Sequence, residues 1–291
     1  MRLPLRPLAG PIAAAALLAG TATLAGAGGP ALAAEDTIRL ASGSLPEYVV
    51  RARRVTLDEI LRRVVEGEAR RDSLMRDQAF TRVLRVVYRF DADDSTKPAK
   101  RKFEEARRVF KKRPDRFREV LLRRQVEGKD DNDIQIGSNR GMGEQIASFA
   151  FEPRARSQFR FTIRERHWIG GHVVYVVAFE PRSQLDPLPA GQVWIDTNED
   201  VIAREEFWYR DRSPAPLFVE RIDRCVVERT RVDGKWWVIS RLFGRVRLAG
   251  PALLLAKLGR ARVSPTVDFS ALYTKWQVNR GLSDSLFVDR P

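Results

Sequence analysis

Two histidines and one cysteine are the side chains of this sequence best suited to metal binding or nucleophilic catalysis. His167 and His172 flank a Gly170–Gly171 turn, but two imidazoles are too few ligands to complete a zinc site. A single thiol, Cys225, excludes an internal disulfide and a cysteine-cluster metal site. It lies in a strand-like run, where a small buried side chain is more common than a reactive one. We therefore expect surface histidines, a buried cysteine, no metal site and no cofactor.

Carboxylates between residues 186 and 200 form the second candidate: Asp186, Asp196, Glu199 and Asp200. Paired carboxylates can act as general acid and base, and clustered ones can bind Ca²⁺. Their spacing fits no calcium-binding loop, and the segment Asp196–Asp200 is typical turn sequence. The sequence also lacks the motifs that pair a nucleophile with a base. We predict no catalytic residues and a protein that is not an enzyme, with an unrecognised hydrolase as an alternative.

Arginine dominates the charge of the chain. It supplies 43 of the 52 basic residues, against 38 acidic ones, and the formal net charge is +14. With 44% hydrophobic and 31% charged residues, the composition excludes a disordered tail, a collagen and a disulfide-stapled miniprotein. The basic residues alternate with acids along strands, as in Arg101–Arg124, which argues against nucleic acid as a partner. An anionic membrane surface is the predicted partner, and an ordinary solvated surface is the alternative.

The first residues are predicted to be a cleavable secretory signal. Two arginines precede the apolar run Pro11–Gly28, and Ala31–Ala33 has the small residues expected before a cleavage site. A membrane anchor is the alternative, although the run is rich in alanine and glycine and weakly hydrophobic for a spanning helix. We therefore predict a periplasmic protein with a signal peptide at 1–33 and a polar entry segment at 34–54.

An amphipathic helix is predicted to begin the mature domain. Thr56–Glu59 has the pattern of a capping box, in which the threonine hydroxyl and the glutamate carboxylate each accept from the other's main-chain amide. Apolar residues then recur at helical spacing as far as about Arg71. These apolar residues are Leu57, Ile60, Leu61 and Val64. From Gln78 onward the period changes to that of strands.

About nine to eleven consecutive antiparallel strands are predicted from there to Leu248. Phe149–Phe151 is assigned as a short strand, Arg113–Pro114 as a corner between strands, and Asp233–Gly234 as a type I′ hairpin turn. A sheet of this length curls into a barrel or half-barrel. An apolar segment, Pro251–Gly259, is predicted to form a short late helix because proline suits the first turn and glycine the end.

The predicted fold is α+β. It is a long curved antiparallel sheet, an unclosed β-barrel, covered on its concave face by the N-terminal helix and the late helix. The half-barrel domain is placed at 55–248, and a C-terminal helix and tail at 249–291.

Aromatic residues fall on the strand-like runs, some as adjacent pairs such as Phe207–Trp208 and Trp236–Trp237. Neighbours in a strand point to opposite faces, so one member of a pair can pack a core while the other lines an apolar cavity. A sheet buried under helices, with an oligomer contact, is the alternative. The candidate ligand-binding residues are Leu57, Ile60, Leu61, Val64, Tyr175, Trp194, Trp208, Trp237, Leu254 and Leu255.

The sequence resembles the LolA-like group of periplasmic lipoprotein carriers and lipoprotein-sorting proteins. Arg113–Arg118 is similar to that group's proline followed by Arg-Phe-Arg between two strands. Ala190–Asp196, followed by Val201–Arg204, resembles its hairpin of strand, aspartate, turn and strand. The leading helix and the signal peptide complete the order, and the resemblance spans roughly Val55–Leu248.

The resemblance implies an unclosed barrel lidded by helices that holds the acyl chains of a lipid or lipoprotein, with no catalytic residue. The chain departs from the carriers in its charge and in its extra segment Ala249–Pro291. The predicted function is thus an exported, monomeric, non-enzymatic carrier of lipid or outer-membrane lipoprotein acyl chains. The alternative is an envelope-stress or regulatory sensor that uses the same fold to bind an envelope protein.

Overall fold

A computed structural model describes residues 55–90, 99–126, 129–130, 149–169, 171–183, 185–209, 219–249 and 266–288. The predicted signal peptide, the entry segment at 34–54 and the late helix at 251–259 lie outside these residues. The helical elements are α1 (Leu57–Leu74), α2 (Pro153–Arg156) and two short 3₁₀ helices, Phe149–Phe151 and Asp284–Phe287. The strands are β1 (Asp77–Phe90), β2 (Ala99–Lys112), β3 (Arg116–Val126), β4 (Lys129–Asp130), β5 (Phe159–Ile169), β6 (His172–Pro181), β7 (Ala190–Asp196), β8 (Val201–Trp208), β9 (Val219–Val232), β10 (Trp236–Leu248) and β11 (Thr266–Val278).

Helix α1 begins at the predicted position and ends at Leu74, slightly beyond the expected end. The Thr56 hydroxyl accepts from the Glu59 amide at 3.3 Å, which is one half of the capping box. The Glu59 carboxylate accepts from the guanidinium groups of Arg62 and Arg63 in the first turns of the helix. The cap is therefore a threonine cap, with an ion cluster where the second half of the box was expected.

All of the described strands belong to one antiparallel sheet of order β4-β3-β2-β1-β11-β10-β9-β8-β7-β6-β5. The predicted fold class, α+β with a long unclosed antiparallel sheet, is confirmed. The half-barrel continues past Leu248, because β11 lies in the middle of the sheet between β1 and β10. The prediction of a strand at Phe149–Phe151 is wrong, since these residues form a 3₁₀ helix that packs Phe151 against Phe161 and Phe179.

The predicted turns are where the sequence places them. Arg113–Pro114 lies in the tight connection between β2 and β3. Asp233 and Gly234 have φ angles of 53° and 64°, the positive values that a type I′ turn requires. The predicted alternation of the adjacent aromatic pairs is confirmed as well, since Phe207 is buried in the core and Trp208 faces the other way.

Register defines the two faces of the sheet, because directly opposed residues on neighbouring strands share a face. We call the face on which α1 packs the inner face and the opposite one the outer face. One inner-face row crosses ten strands from β5 to β3: Ile163, Val177, Val193, Glu205, Val227, Leu242, Ala271, Leu84, Glu105 and Arg124. The neighbouring outer-face row is Glu165, Val176, Trp194, Arg204, Glu228, Arg241, Leu272, Val83, Ala106 and Arg123.

The main core lies between α1 and the inner face and follows that face across the whole sheet. It includes Val64 on the helix, Phe179 near one edge of the sheet and Phe103 near the other. The outer face carries most of the alternating arginines and carboxylates. The inner face is therefore mainly apolar and the outer face mainly charged, because side chains alternate between the two faces along each strand.

Candidate functional site

Helix α1 lies closely over one half of the inner face. Ile60, Leu61 and Val64 are buried against it, and the main contacts of the helix are with β8, β5 and the 3₁₀ helix at Phe149–Phe151. Gly67 lets the helix approach the turn between β7 and β8, because a Cβ there would lie 2.1 Å from the main-chain oxygen of Asp200. The apolar inner face thus extends well beyond the strands that the helix chiefly contacts.

A buried ion cluster attaches the helix to the sheet. The Glu68 carboxylate accepts from Arg229 Nη1 at 2.6 Å and from the Ile202 amide at 2.8 Å, and it forms an ion pair with Arg71 Nη1 at 3.0 Å. The Arg229 side chain is only 2% exposed and also donates to the Ile202 carbonyl oxygen at 2.9 Å. Since a buried charge is costly unless it is paired, this cluster determines where α1 lies on the sheet.

Glu205 is a second buried carboxyl group, in the middle of the inner-face row. Its Oε2 has no hydrogen-bond partner among the described residues. Burial raises the pKa of Glu205 well above its ordinary value, the positive charge of Arg229 opposes this shift, and the charge of Glu68 adds to it. Burial therefore favours the neutral carboxylic acid form of Glu205, which compensates the charge of Arg229 less than a carboxylate would.

Strands β1–β3 carry a separate ion network on the same face. Glu105 accepts from Arg124 at 2.7 Å and from Arg107, and Glu119 lies 3.0 Å from Arg82. Burial acts to raise the pKa of Glu105, but the hydrogen bonds from the two arginines outweigh it and the pKa is lowered. Sequence reasoning missed this network, since charged residues in alternating strands are expected on the solvent face.

A cleft of about 220 Å³ opens between the C-terminal end of α1 and the inner face. We call it the arginine–tryptophan cleft. Its wall is aromatic: Trp276 stacks on Phe80 with ring centroids 4.2 Å apart, and its indole N–H donates to the Ile239 carbonyl oxygen at 3.1 Å. The lining residues are Arg71, Asp72, Met75, Gln78, Arg113, Arg229, Trp237, Val238, Ile239 and Trp276. Phe80 belongs to the main core, so the apolar surface of the inner face continues into this cleft.

The outer face carries more arginines than carboxylates. Glu104 lies between Arg85 and Arg123, at 2.8 and 2.6 Å. Two further carboxylates have the same arrangement, and their pairs are Asp268 with Arg89 and Arg245, and Glu206 with Arg204 and Arg224. Glu228 also pairs with Arg204, at 3.2 Å, so these groups together comprise six arginines and four carboxylates and leave an excess of positive charge on the outer face.

The structure brings some of the predicted ligand-binding residues together and separates others. Leu57, Ile60, Leu61, Val64 and Tyr175 belong to the main core on the inner face. Trp237 lines the arginine–tryptophan cleft. Trp194 and Trp208 lie on the outer face, where the ring of Trp194 is 4.9 Å from the guanidinium carbon of Arg204. Leu254 and Leu255 lie outside the described residues.

Of the residues considered for metal or acid–base chemistry, His172 and Asp196 are paired with each other. His172 Nε2 is 2.6 Å from Asp196 Oδ2, and Asp196 Oδ1 accepts from the Asn198 amide at 2.8 Å. Cys225 is buried, as predicted. Within the described ranges no group of histidine, cysteine and acidic side chains could hold a metal ion. In the same part of the chain, no helix has both the length and the apolar character to cross a membrane.

Solved structures that match this chain include members of the group that the sequence resembles. A Vibrio parahaemolyticus domain assigned to outer membrane lipoprotein sorting matches with a TM-score of 0.33 and 15% identity, over 78% of this chain and 95% of that one. A LolA superfamily protein from Nitrosomonas europaea matches with a TM-score of 0.29 and 12% identity, over 81% and 98%. A chain of the Pseudomonas aeruginosa MucA/MucB complex matches with a TM-score of 0.24 and 10% identity, over 77% and 99%.

No protein-family model matches the chain, and no curated protein is significantly similar to it. At the scores and identities of the structural matches, no residue role transfers to this chain.

Proposed function

We propose that this protein is an exported, non-enzymatic carrier that holds the acyl chains of a lipid or lipoprotein against the inner face of its sheet. The observation that carries the proposal is an apolar face wider than the helix packed on it, which continues into an aromatic cleft. Ile239 and Trp276 line that cleft, and the rings of the core residues Phe80 and Tyr273 lie 4.2 and 6.5 Å from the ring of Trp276. An acyl chain in such a place is stabilised by about 0.8 kcal/mol for each buried methylene group.

The outer face supports a second part of the proposal, which is contact with an anionic membrane where cargo is loaded or released. Arg85, Arg123 and Arg245 are each about half exposed, at 55%, 52% and 51% of their side chains. A cation near an anionic lipid surface is attracted by about 1 kcal/mol, and salt screens this attraction. Such a carrier works in the periplasm, between the membranes whose lipids or lipoproteins it binds.

Binding of a fluorescent fatty acid tests the carrier function. We expect saturable binding to the wild-type protein and weaker binding to Trp276→Ala, which removes one wall of the cleft. Trp194→Ala is the matched control, because it removes an indole of similar exposure from the outer face. Circular dichroism and thermal unfolding of each variant establish that it is folded. No binding to the wild-type protein, or equal loss in both variants, would refute a site on the inner face.

Vesicle sedimentation tests the membrane contact. We expect association with vesicles of anionic phospholipid, none with zwitterionic vesicles, and release at high salt. The triple variant Arg85→Gln, Arg123→Gln and Arg245→Gln is expected to associate more weakly, since it removes three exposed positive charges. Equal association with both kinds of vesicle would contradict the proposed electrostatic contact.

A further inference from the structure

Two residues that line the arginine–tryptophan cleft carry buried hydrogen-bond donors that the described part of the protein does not use. Arg229 Nε and Trp237 Nε1 are buried, and neither has a hydrogen-bond partner among the described residues. The Arg229 side chain is 98% buried, so solvent does not reach it freely. A buried donor without an acceptor costs free energy, and two such donors on residues that line one cleft point to an acceptor bound there.

The charges around the cleft are also unbalanced. Three guanidinium groups, those of Arg71, Arg113 and Arg229, line it. Glu68 and Asp72 are the carboxylates paired with them, at 2.6 Å from Arg229 and from Arg71 respectively. Among the described residues Arg113 donates only to main-chain carbonyl oxygens. One positive charge is therefore left without a carboxylate.

The C-terminal end of α1 faces the cleft, and its carbonyl oxygens would by themselves repel an anion. Arg113 removes this obstacle: its Nε donates to the Met75 carbonyl oxygen at 3.1 Å and its Nη2 donates to that of Asp72. The Asp72 side chain is half exposed and paired with Arg71. The potential inside the cleft is thus set by guanidinium and indole N–H groups.

We propose that the arginine–tryptophan cleft binds an oxyanion, the carboxylate or phosphate group of an acyl-bearing ligand, through Arg113, Arg229 and the Trp237 indole N–H. The inference rests on the proposed carrier function for the chain attached to that group. A volume of about 220 Å³ is ample for a carboxylate or phosphate group, since a single water needs only about 10–15 Å³ by the same kind of measure. Trp276 and Phe80 then direct the attached chain toward the core surface of the inner face.

Isothermal titration calorimetry with matched ligands tests the proposal. Laurate and dodecanol have the same chain and differ in the anionic group, and inorganic phosphate supplies an anion without a chain. A hydrogen bond to a charged group changes affinity by about tenfold or more, so we expect wild-type protein to bind laurate at least about tenfold more tightly than dodecanol. The preference should decrease as salt concentration rises.

Trp237→Phe keeps an aromatic ring and deletes the indole N–H, so we expect it to lose most of the preference for laurate while it still binds dodecanol. Trp236→Phe is the matched control: Trp236 is the adjacent residue, and its ring lies 4.7 Å from the ammonium group of Lys235. Equal affinity for laurate and dodecanol in the wild-type protein would overturn the oxyanion site and leave the carrier function standing. Binding of phosphate without either amphiphile would support the site and overturn the carrier function. No binding of any probe would overturn both.

Discussion

Replacing Glu68 with alanine removes the carboxylate that attaches helix α1 to the sheet. The change leaves Arg229 as a buried cation without its 2.6 Å partner and leaves the Ile202 amide without its acceptor. Breaking a buried ion pair from one side costs about 3–5 kcal/mol, and an unsatisfied buried amide costs about 1–3 kcal/mol, although the two are not additive. We expect the free energy of unfolding to fall by at least about 3 kcal/mol, a large share of the stability of a typical domain.

Urea unfolding followed by circular dichroism measures this loss, and a double-mutant cycle isolates its cause. Glu68→Gln keeps an acceptor for the Ile202 amide and is expected to lose less stability than Glu68→Ala. The double variant Glu68→Gln, Arg229→Met removes both charges, so it should be more stable than the sum of the single losses predicts. A loss below about 1 kcal/mol for Glu68→Ala, or purely additive losses in the cycle, would refute this account of the helix attachment.

Three further predictions concern other buried groups. Gly67→Ala should destabilise the protein by about 1–3 kcal/mol in urea unfolding, because its Cβ meets the Asp200 carbonyl oxygen, whereas Glu66→Ala on the exposed side should have little effect. Burial raises the pKa of Glu205, so the folded state keeps a proton that the unfolded state releases above about 4.5, and the contribution of this group to stability should fall as pH rises above that value. The Glu205→Gln variant should lack this pH dependence. A difference in the free energy of unfolding between wild type and variant that does not change with pH would contradict the raised pKa of Glu205. Burial also raises the pKa of the Cys225 thiol, so a thiol reagent should react with it only after denaturation, and rapid labelling of the folded protein would show the assignment to be wrong.

Local patterns in the sequence were sufficient to predict much of the fold. The Thr56 cap and the helical spacing of Ile60 and Val64 predicted α1, and Asp233–Gly234 predicted the turn between β9 and β10. These features depend on neighbours within a few residues. Phe149–Phe151 misled the prediction because an apolar run of three residues fits a strand and a 3₁₀ helix equally well.

The position of β11 and the composition of the inner face could not be predicted in this way. Thr266–Val278 enters the centre of the sheet through register with β1 and β10, and such long-range pairing leaves no local signal. The alternation of side chains along a strand also predicts that charged residues face solvent. It therefore did not indicate that Glu105 pairs with Arg124 or that Arg229 lines the cleft. Contacts with residues distant in sequence, the Glu68 carboxylate on α1 and the Ile202 carbonyl oxygen, position that arginine.

Native mass spectrometry of the protein purified after export from its producing cell tests the carrier claim most directly. We predict a population whose mass exceeds that of the polypeptide by one acyl lipid or lipid-modified peptide, released on denaturation and identified in the organic extract. Trp276→Ala should carry less of this ligand, and Trp194→Ala should carry as much as the wild-type protein. A polypeptide of unliganded mass only, which also takes up no fatty acid when it is supplied, would contradict the claim that the inner face holds acyl chains.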